Sequence, residues 1–116
     1  MPDTLSGKHM HIQTLDLMHS NEWASLLATC FQRPTDVMQR HLDWLHSGYP
    51  VVAFGVWENN TLVAQYACLC IDLHLPGQFT SVKAGMSLNM CVHPDFRGRG
   101  LIKQVAMPVY ETLLEM

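Results

Sequence analysis

Val92-His93-Pro94-Asp95-Phe96-Arg97-Gly98-Arg99-Gly100-Leu101 joins an apolar strand to a helix through a basic, glycine-rich turn. Glycine is required where backbone must approach an anion closely or take a positive φ. A turn of this kind presents unpaired N–H groups at the first turn of a helix, where the helix macrodipole also favours negative charge. The ligand it suits is an anion, and a polyphosphate tail fits best.

Working outward, Val82 to Val92 reads as a strand that Pro94 closes, and the turn opens a helix running from about Arg99 to the end of the chain. Leu101, Val105, Val109 and Leu113 give that helix its apolar stripe. Pro108 falls inside it, removes the N–H that would bond Gln104, and is expected to bend or loosen it. Upstream, Pro50 to Trp57 and Thr61 to Leu73 are rich in β-formers and flank Glu58-Asn59-Asn60, the pattern of an antiparallel hairpin. A loop with Pro76-Gly77 leads on to the Val82 strand.

The first half is mostly helical. Ser20-Asn21-Glu22 starts a helix carrying Trp23, Leu26, Leu27, Cys30 and Phe31, which ends before Pro34. Thr35-Asp36 can cap a second helix, with Val37, Met38, His41, Leu42, Trp44 and Leu45, that stops at Gly48. His9 to Leu17 alternates enough to form a first strand, and Met1 to Lys8 is expected to be loose. The order is β-α-α-β-β-β-α. It describes one α/β domain over residues 1–116, a mixed, mainly antiparallel sheet with flanking helices.

Composition excludes several classes of function. With 116 residues the chain forms one small domain. Hydrophobic residues at 48% and charged residues at 15% are globular proportions, and a net charge of −3 offers no broad cationic surface for nucleic acid. No apolar run reaches a membrane span and no long apolar segment opens the chain, so a soluble cytoplasmic protein is expected. Cys30, Cys68, Cys70 and Cys91 sit in apolar patterns without zinc-site spacing and read as reduced thiols in or near the core.

The strand Met86-Ser87-Leu88-Asn89-Met90-Cys91-Val92 and the turn after it resemble the acyl-coenzyme A motif of the GNAT acetyltransferase superfamily, Val-x-Pro-x-x-Arg/Gln-x-x-Gly-x-Gly/Ala. Val92, Pro94, Arg97 and Gly100 match it. Ile102 departs, bringing a branched side chain to the approach of the pyrophosphate. The resemblance implies a GNAT-like fold, truncated after the motif helix, since the fifth strand and the helix after it have no counterpart in this sequence. It implies that backbone N–H groups from Arg97 through Gly98, Arg99, Gly100 and Leu101 to Ile102 bind the pyrophosphate of coenzyme A. Met90, Cys91 and Val92 would pair with the pantetheine arm as a further strand would, Val92 being the best position for polarising the thioester carbonyl.

The activity so implied is transfer of an acetyl group from acetyl-coenzyme A to the amine of an unidentified small molecule or peptide. The alternative is a non-catalytic module that binds acyl-coenzyme A or assembles with a partner. On either reading the strand 82–92 would be an exposed edge, which a second copy in a homodimer, or another partner, should cover.

Catalytic candidates are few. Asn89 can order a water on the motif strand, and Cys91 could act as a nucleophile only with a lowered pKa. His9 and His11 form a His-x-His pair without an evident third ligand, so no metal is expected. His41 and His46 stand five apart on a helix and point differently; His93 lies at the rim of the turn; Asp72 and His74 lie near a strand end, most simply solvated. Trp23, Trp44 and Trp57 are read as core under the helices.

Overall fold

The computed structural model describes residues 10–116. His9 and the segment Met1 to Lys8 lie outside the described residues. The elements follow the expected order: β1 (Met10–Thr14), α1 (Ser20–Phe31), α2 (Thr35–Leu45), β2 (Val51–Glu58), β3 (Thr61–His74), β4 (Ser81–Val92) and α3 (Leu101–Leu114). Single 3-10 turns at Leu17–His19 and Pro94–Phe96 precede α1 and α3.

All strand pairs are antiparallel, in the order β1-β2-β3-β4. The period-two alternation of side chains sends Val52, Phe54 and Val56 of β2 to one face and Val51, Ala53 and Trp57 to the other. The first face packs on α3 through Val63, Tyr66, Val92, Val105 and Val109. The second packs on α1 and α2 through Trp23, Leu27, Leu42, Leu45, Ala67 and Cys91. The sheet is thus sandwiched, and the end of β4 is held between both helical layers.

Local chemistry explains where several boundaries fall. Gly98 and Gly100 take φ of 82° and 73°, a left-handed conformation that cannot continue a right-handed helix, so α3 starts at Leu101 rather than Arg99. The second helix starts at Thr35 without a side-chain cap from Thr35 or Asp36; Pro34 supplies the extended cap geometry by its fixed φ of −61°. Asp36 instead pairs with Arg40 at 3.5 Å. Its other end comes at Leu45, three residues before Gly48, because the His46 ring accepts the role of terminator, its Nδ1 bonding the Leu42 carbonyl at 2.8 Å.

Two expectations are corrected. Trp23 and Trp57 are buried, but Trp44 is 60% exposed: the residues that follow the stripe Met38, His41, Leu42, Leu45 turn inward, and Trp44 lies off it. The last helix runs unbroken from Leu101 to Leu114 through Pro108, which leaves the Gln104 carbonyl without its usual donor, while Thr112 Oγ1 donates to the Pro108 carbonyl at 2.8 Å. Its stripe Leu101, Val105 and Val109 is buried, which holds the helix on the sheet despite the lost hydrogen bond. No described helix is long and apolar enough to cross a membrane.

Candidate functional site

The turn after β4 is built by its own backbone and by two arginines. His93 Nδ1 accepts the Asp95 N–H at 3.1 Å, which fixes the 3-10 turn. Arg97 Nε donates to the Val92 carbonyl at 3.2 Å, tying the loop back to the strand, and the Arg99 guanidinium lies 4.8 Å from the centre of the Phe96 ring. The first amide bonded back into α3 is that of Gln104, to the Gly100 carbonyl at 3.3 Å. The amides of Leu101, Ile102 and Lys103 therefore have no acceptor within the helix. A Cβ on Gly98 or Gly100 would meet no protein atom within 4 Å. These glycines serve the positive φ and leave open space above the helix N-terminus, rather than avoiding a clash inside the fold.

The strand edge continues this surface. The His93 N–H bonds the Val63 carbonyl at 2.8 Å, and Val92 stands opposite Ala64 in the antiparallel register. Because hydrogen-bonded and non-hydrogen-bonded pairs alternate, the amides and carbonyls of Val92 and Met90 point away from β3, toward the free edge of β4. The Val92 carbonyl is the one held by Arg97. Between the pairs Ala67 with Asn89 and Cys68 with Ser87, β4 carries one extra residue, Leu88. Such a bulge re-aims the side chains beside it.

Two clefts meet along this strand. One, of about 380 Å³, is lined by Cys30, Phe31, Met90, Cys91, Val92, Phe96, Arg97, Gly98, Gly100, Leu101 and Ile102. It gathers every residue expected to contact the cofactor except Arg99, whose guanidinium is turned onto Phe96. Ile102 stands half exposed at its wall. The other, of about 350 Å³, is lined by Leu27, Phe31, Arg33, Met38, His41, Leu88 and Asn89. Phe31 belongs to both. A further cleft of about 380 Å³ at the opposite end of β4, between Tyr49, Asp72 and Lys83, has neither a glycine turn nor an open helix end.

Asn89 is thus placed in the second cleft, where its Nδ2 donates to His41 Nε2 at 3.0 Å. Its Oδ1 is buried without a hydrogen-bond partner. His41, which the sequence places on the second helix with Met38, Leu42 and Leu45 but not at a site, lies on the face α2 turns to the sheet.

Cys91 is not an activated thiol. Burial pushes it from 9.0 up to about 12, and the neighbouring Cys30 thiol adds to the effect against a weaker opposing hydrogen bond from Gln65. It remains protonated at neutral pH, so the nucleophile option is not supported. Gln65, fully buried, accepts the Trp23 indole N–H at 2.9 Å and bonds the Cys91 sulfur at 3.5 Å. The remaining candidates disperse. Asp72 pairs with Lys83 at 3.3 Å, His11 stacks on Trp57, and no metal-binding group of three His, Cys, Asp or Glu residues occurs among the described residues.

Comparison with known proteins bears on the fold. The sequence family described as acetyltransferase (GNAT) domain matches residues 11–116. A ribosomal-protein-alanine N-acetyltransferase from Brucella melitensis biovar Abortus 2308 is 30% identical, with a TM-score of 0.68 over 91% of this chain and 72% of that one. An aminoglycoside N-acetyltransferase solved with coenzyme A is 19% identical, with a TM-score of 0.68 over 91% and 70% of the two chains. A predicted acetyltransferase from Clostridium acetobutylicum, solved with acetyl-coenzyme A, is also 19% identical, with a TM-score of 0.70 over 91% and 74%. The last two share the fold. Among curated proteins nothing matches.

Proposed function

The chain belongs to the GNAT acetyltransferase family, and from that premise we propose that it transfers the acetyl group of acetyl-coenzyme A to an amine. One observation carries the reading: the free edge of β4, the glycine turn and the open N-terminus of α3 line a single cleft of about 380 Å³. Acetyl-coenzyme A supplies an acyl group already activated as a thioester. Everything else is the work of the chain.

The residues present fit that molecule. The amides of Leu101, Ile102 and Lys103, with the space left by Gly98 and Gly100, receive the pyrophosphate, and charge-assisted N–H bonds of this kind are roughly twice as strong as neutral ones. Arg97 and Arg99 add positive potential, although their side chains are anchored on Val92 and Phe96. The outward amide of Val92 and the outward groups of Met90 pair with the amide-bearing pantetheine arm. That pairing aligns the thioester beside the bulge, where Val92 N–H or Met90 N–H polarises its carbonyl. The amine arrives from the second cleft, on the other side of Phe31.

The edge of β4 has one strand neighbour, β3, among the described residues. We take its cover to be bound coenzyme A along Met90 and Val92, and a second copy of the chain or a protein partner along the rest of the strand. The test is calorimetric titration with acetyl-coenzyme A and with coenzyme A, beside a light-scattering mass and an assay of thiol release with amines. Micromolar binding with amine-dependent release supports the acetyltransferase. Binding with no release over a broad amine panel would instead mark a coenzyme A-binding module, and no binding by folded protein would overturn the reading.

A further inference from the structure

The second cleft has a chemistry of its own. Its walls are apolar, from Leu27, Phe31, Met38 and Leu88, and the one permanently charged residue in its lining is Arg33. Arg33 has no ion pair or side-chain hydrogen bond among the described residues; its backbone amide is fixed on the Ala28 carbonyl at 3.1 Å. No Asp or Glu lines the cleft. A polycationic acceptor would find there a like charge and no counter-ion, whereas an anionic group would find an unpaired guanidinium able to bind it bidentately.

The same cleft holds one pair of side chains able to handle an amine. His41 Nε2 accepts from Asn89 Nδ2 at 3.0 Å and so carries a lone pair, while Asn89 Oδ1 is buried with no donor. An unsatisfied buried acceptor is unfavourable, and a ligand N–H placed against it relieves that penalty. Asn89 also adjoins Met90, whose outward backbone lies in the cofactor cleft.

We propose that this cleft takes a small amine bearing a carboxylate and an apolar group, with Arg33 on the carboxylate, Asn89 Oδ1 on one amine N–H and His41 Nε2 as the base that receives the other. The inference rests on the acetyltransferase reading and deepens it. In the step, the nitrogen lone pair of the neutral amine forms a C–N bond to the acetyl carbon, and the C–S bond breaks with its electron pair leaving on sulfur. The amine proton passes to His41 Nε2, in place of the Asn89 N–H, and from there to the departing thiolate. Amine and thioester become amide and thiol, with no other reactant.

The experiment uses phenylalanine, phenylalanine methyl ester and spermidine as acceptors, with acetyl-coenzyme A affinity measured separately by calorimetry. Phenylalanine is expected to be acetylated with kcat/KM at least tenfold above its ester, and spermidine least well. Arg33→Gln should raise KM for phenylalanine about tenfold, leave KM for the ester unchanged and so erase the preference. His41→Gln should lower kcat by about a hundredfold with KM and acetyl-coenzyme A affinity unchanged, and added imidazole should restore part of the rate. Unchanged affinity shows that both variants are folded. Equal use of acid and ester, a preference that survives Arg33→Gln, kcat within twofold in His41→Gln, or binding of acetyl-coenzyme A with no acetylation of any of the three would each overturn this inference alone. Failure to bind acetyl-coenzyme A would overturn the acetyltransferase reading and this inference with it.

Discussion

The two clefts that meet at Phe31 are made of different material. The one at the glycine turn is built from backbone: outward amides on Met90 and Val92, open amides at the start of α3, and two glycines whose missing side chains leave the room. The one between α2 and β4 is built from side chains that start 48 residues apart, His41 and Asn89, with Arg33 at its rim. A backbone site depends on dihedral angles and tolerates exchange of neighbouring side chains. A side-chain site depends on identity at every position. The expected outcomes below probe that contrast, from the largest effect to the smallest.

If the first cleft works through its backbone, its one reactive side-chain type should be inert. The Cys91 thiol, pushed up to about 12, holds roughly a thousandfold less thiolate near neutral pH than a thiol at 9.0. Alkylation of Cys91 by iodoacetamide at pH 8, followed by peptide mass spectrometry, should therefore be about a thousandfold slower than that of an unhindered thiol, and should recover on unfolding. The sign of the linked stability follows. Folded Cys91 keeps its proton to a higher pH than the unfolded chain does, so its contribution is fully present below pH 9 and is lost as pH rises toward 12. Rapid labelling of the folded protein would show an activated thiol and break the contrast.

The next effect is on the glycines themselves. Gly100→Glu forces an L residue to φ 73° and places a carboxylate where the pyrophosphate is received, so coenzyme A affinity should fall by about a hundredfold or more. Gly100→Ala separates the parts: its Cβ meets nothing in the protein, and any loss beyond the strain of the left-handed conformation reports contact with the ligand. Coenzyme A affinity unchanged in Gly100→Glu would remove the turn from the site.

A smaller effect belongs to the core that both clefts share. Trp23→Phe leaves the Oε1 of fully buried Gln65 without its indole donor and should cost about 1–3 kcal/mol in a denaturant titration. Coenzyme A affinity, measured where the protein is folded, should change little, because Gln65 reaches that cleft only through the Cys91 sulfur. The side-chain cleft, resting on α1 and α2, should be the more sensitive of the two to the same change.

The same distinction explains what was legible in the sequence. The order of elements, the hairpin around Asn59 and the turn from Val92 to Leu101 could be read because proline, glycine and alternating apolar residues act locally. Cys30 and Phe96 were missed as cleft walls, since the side a residue lines depends on how α1 and the turn pack. His41 was legible only in part: its place on the Met38, Leu42, Leu45 stripe marks it as facing the sheet, but that it meets Asn89, 48 residues on, depends on how α2 packs across β4, which no local pattern announces. Trp44 erred in the opposite direction, an aromatic residue beside a stripe and outside it.

The smallest expected effect is the sharpest test of the contrast, because it concerns a charge the motif itself contributes. Arg99 is anchored over Phe96, and an exposed cation–π contact is worth about 0.5–1 kcal/mol. Arg99→Gln should therefore lower stability by no more than that, and should weaken coenzyme A binding less than about fivefold, mostly through the loss of long-range attraction. Its effect on binding should shrink further as salt is raised, whereas the loss in Gly100→Glu should persist, since a blocked cradle is not screened. A drop of thirtyfold or more that persists in high salt would mean that the Arg99 side chain leaves Phe96 to grip the phosphates directly. The first cleft would then be, like the second, a site made of side chains.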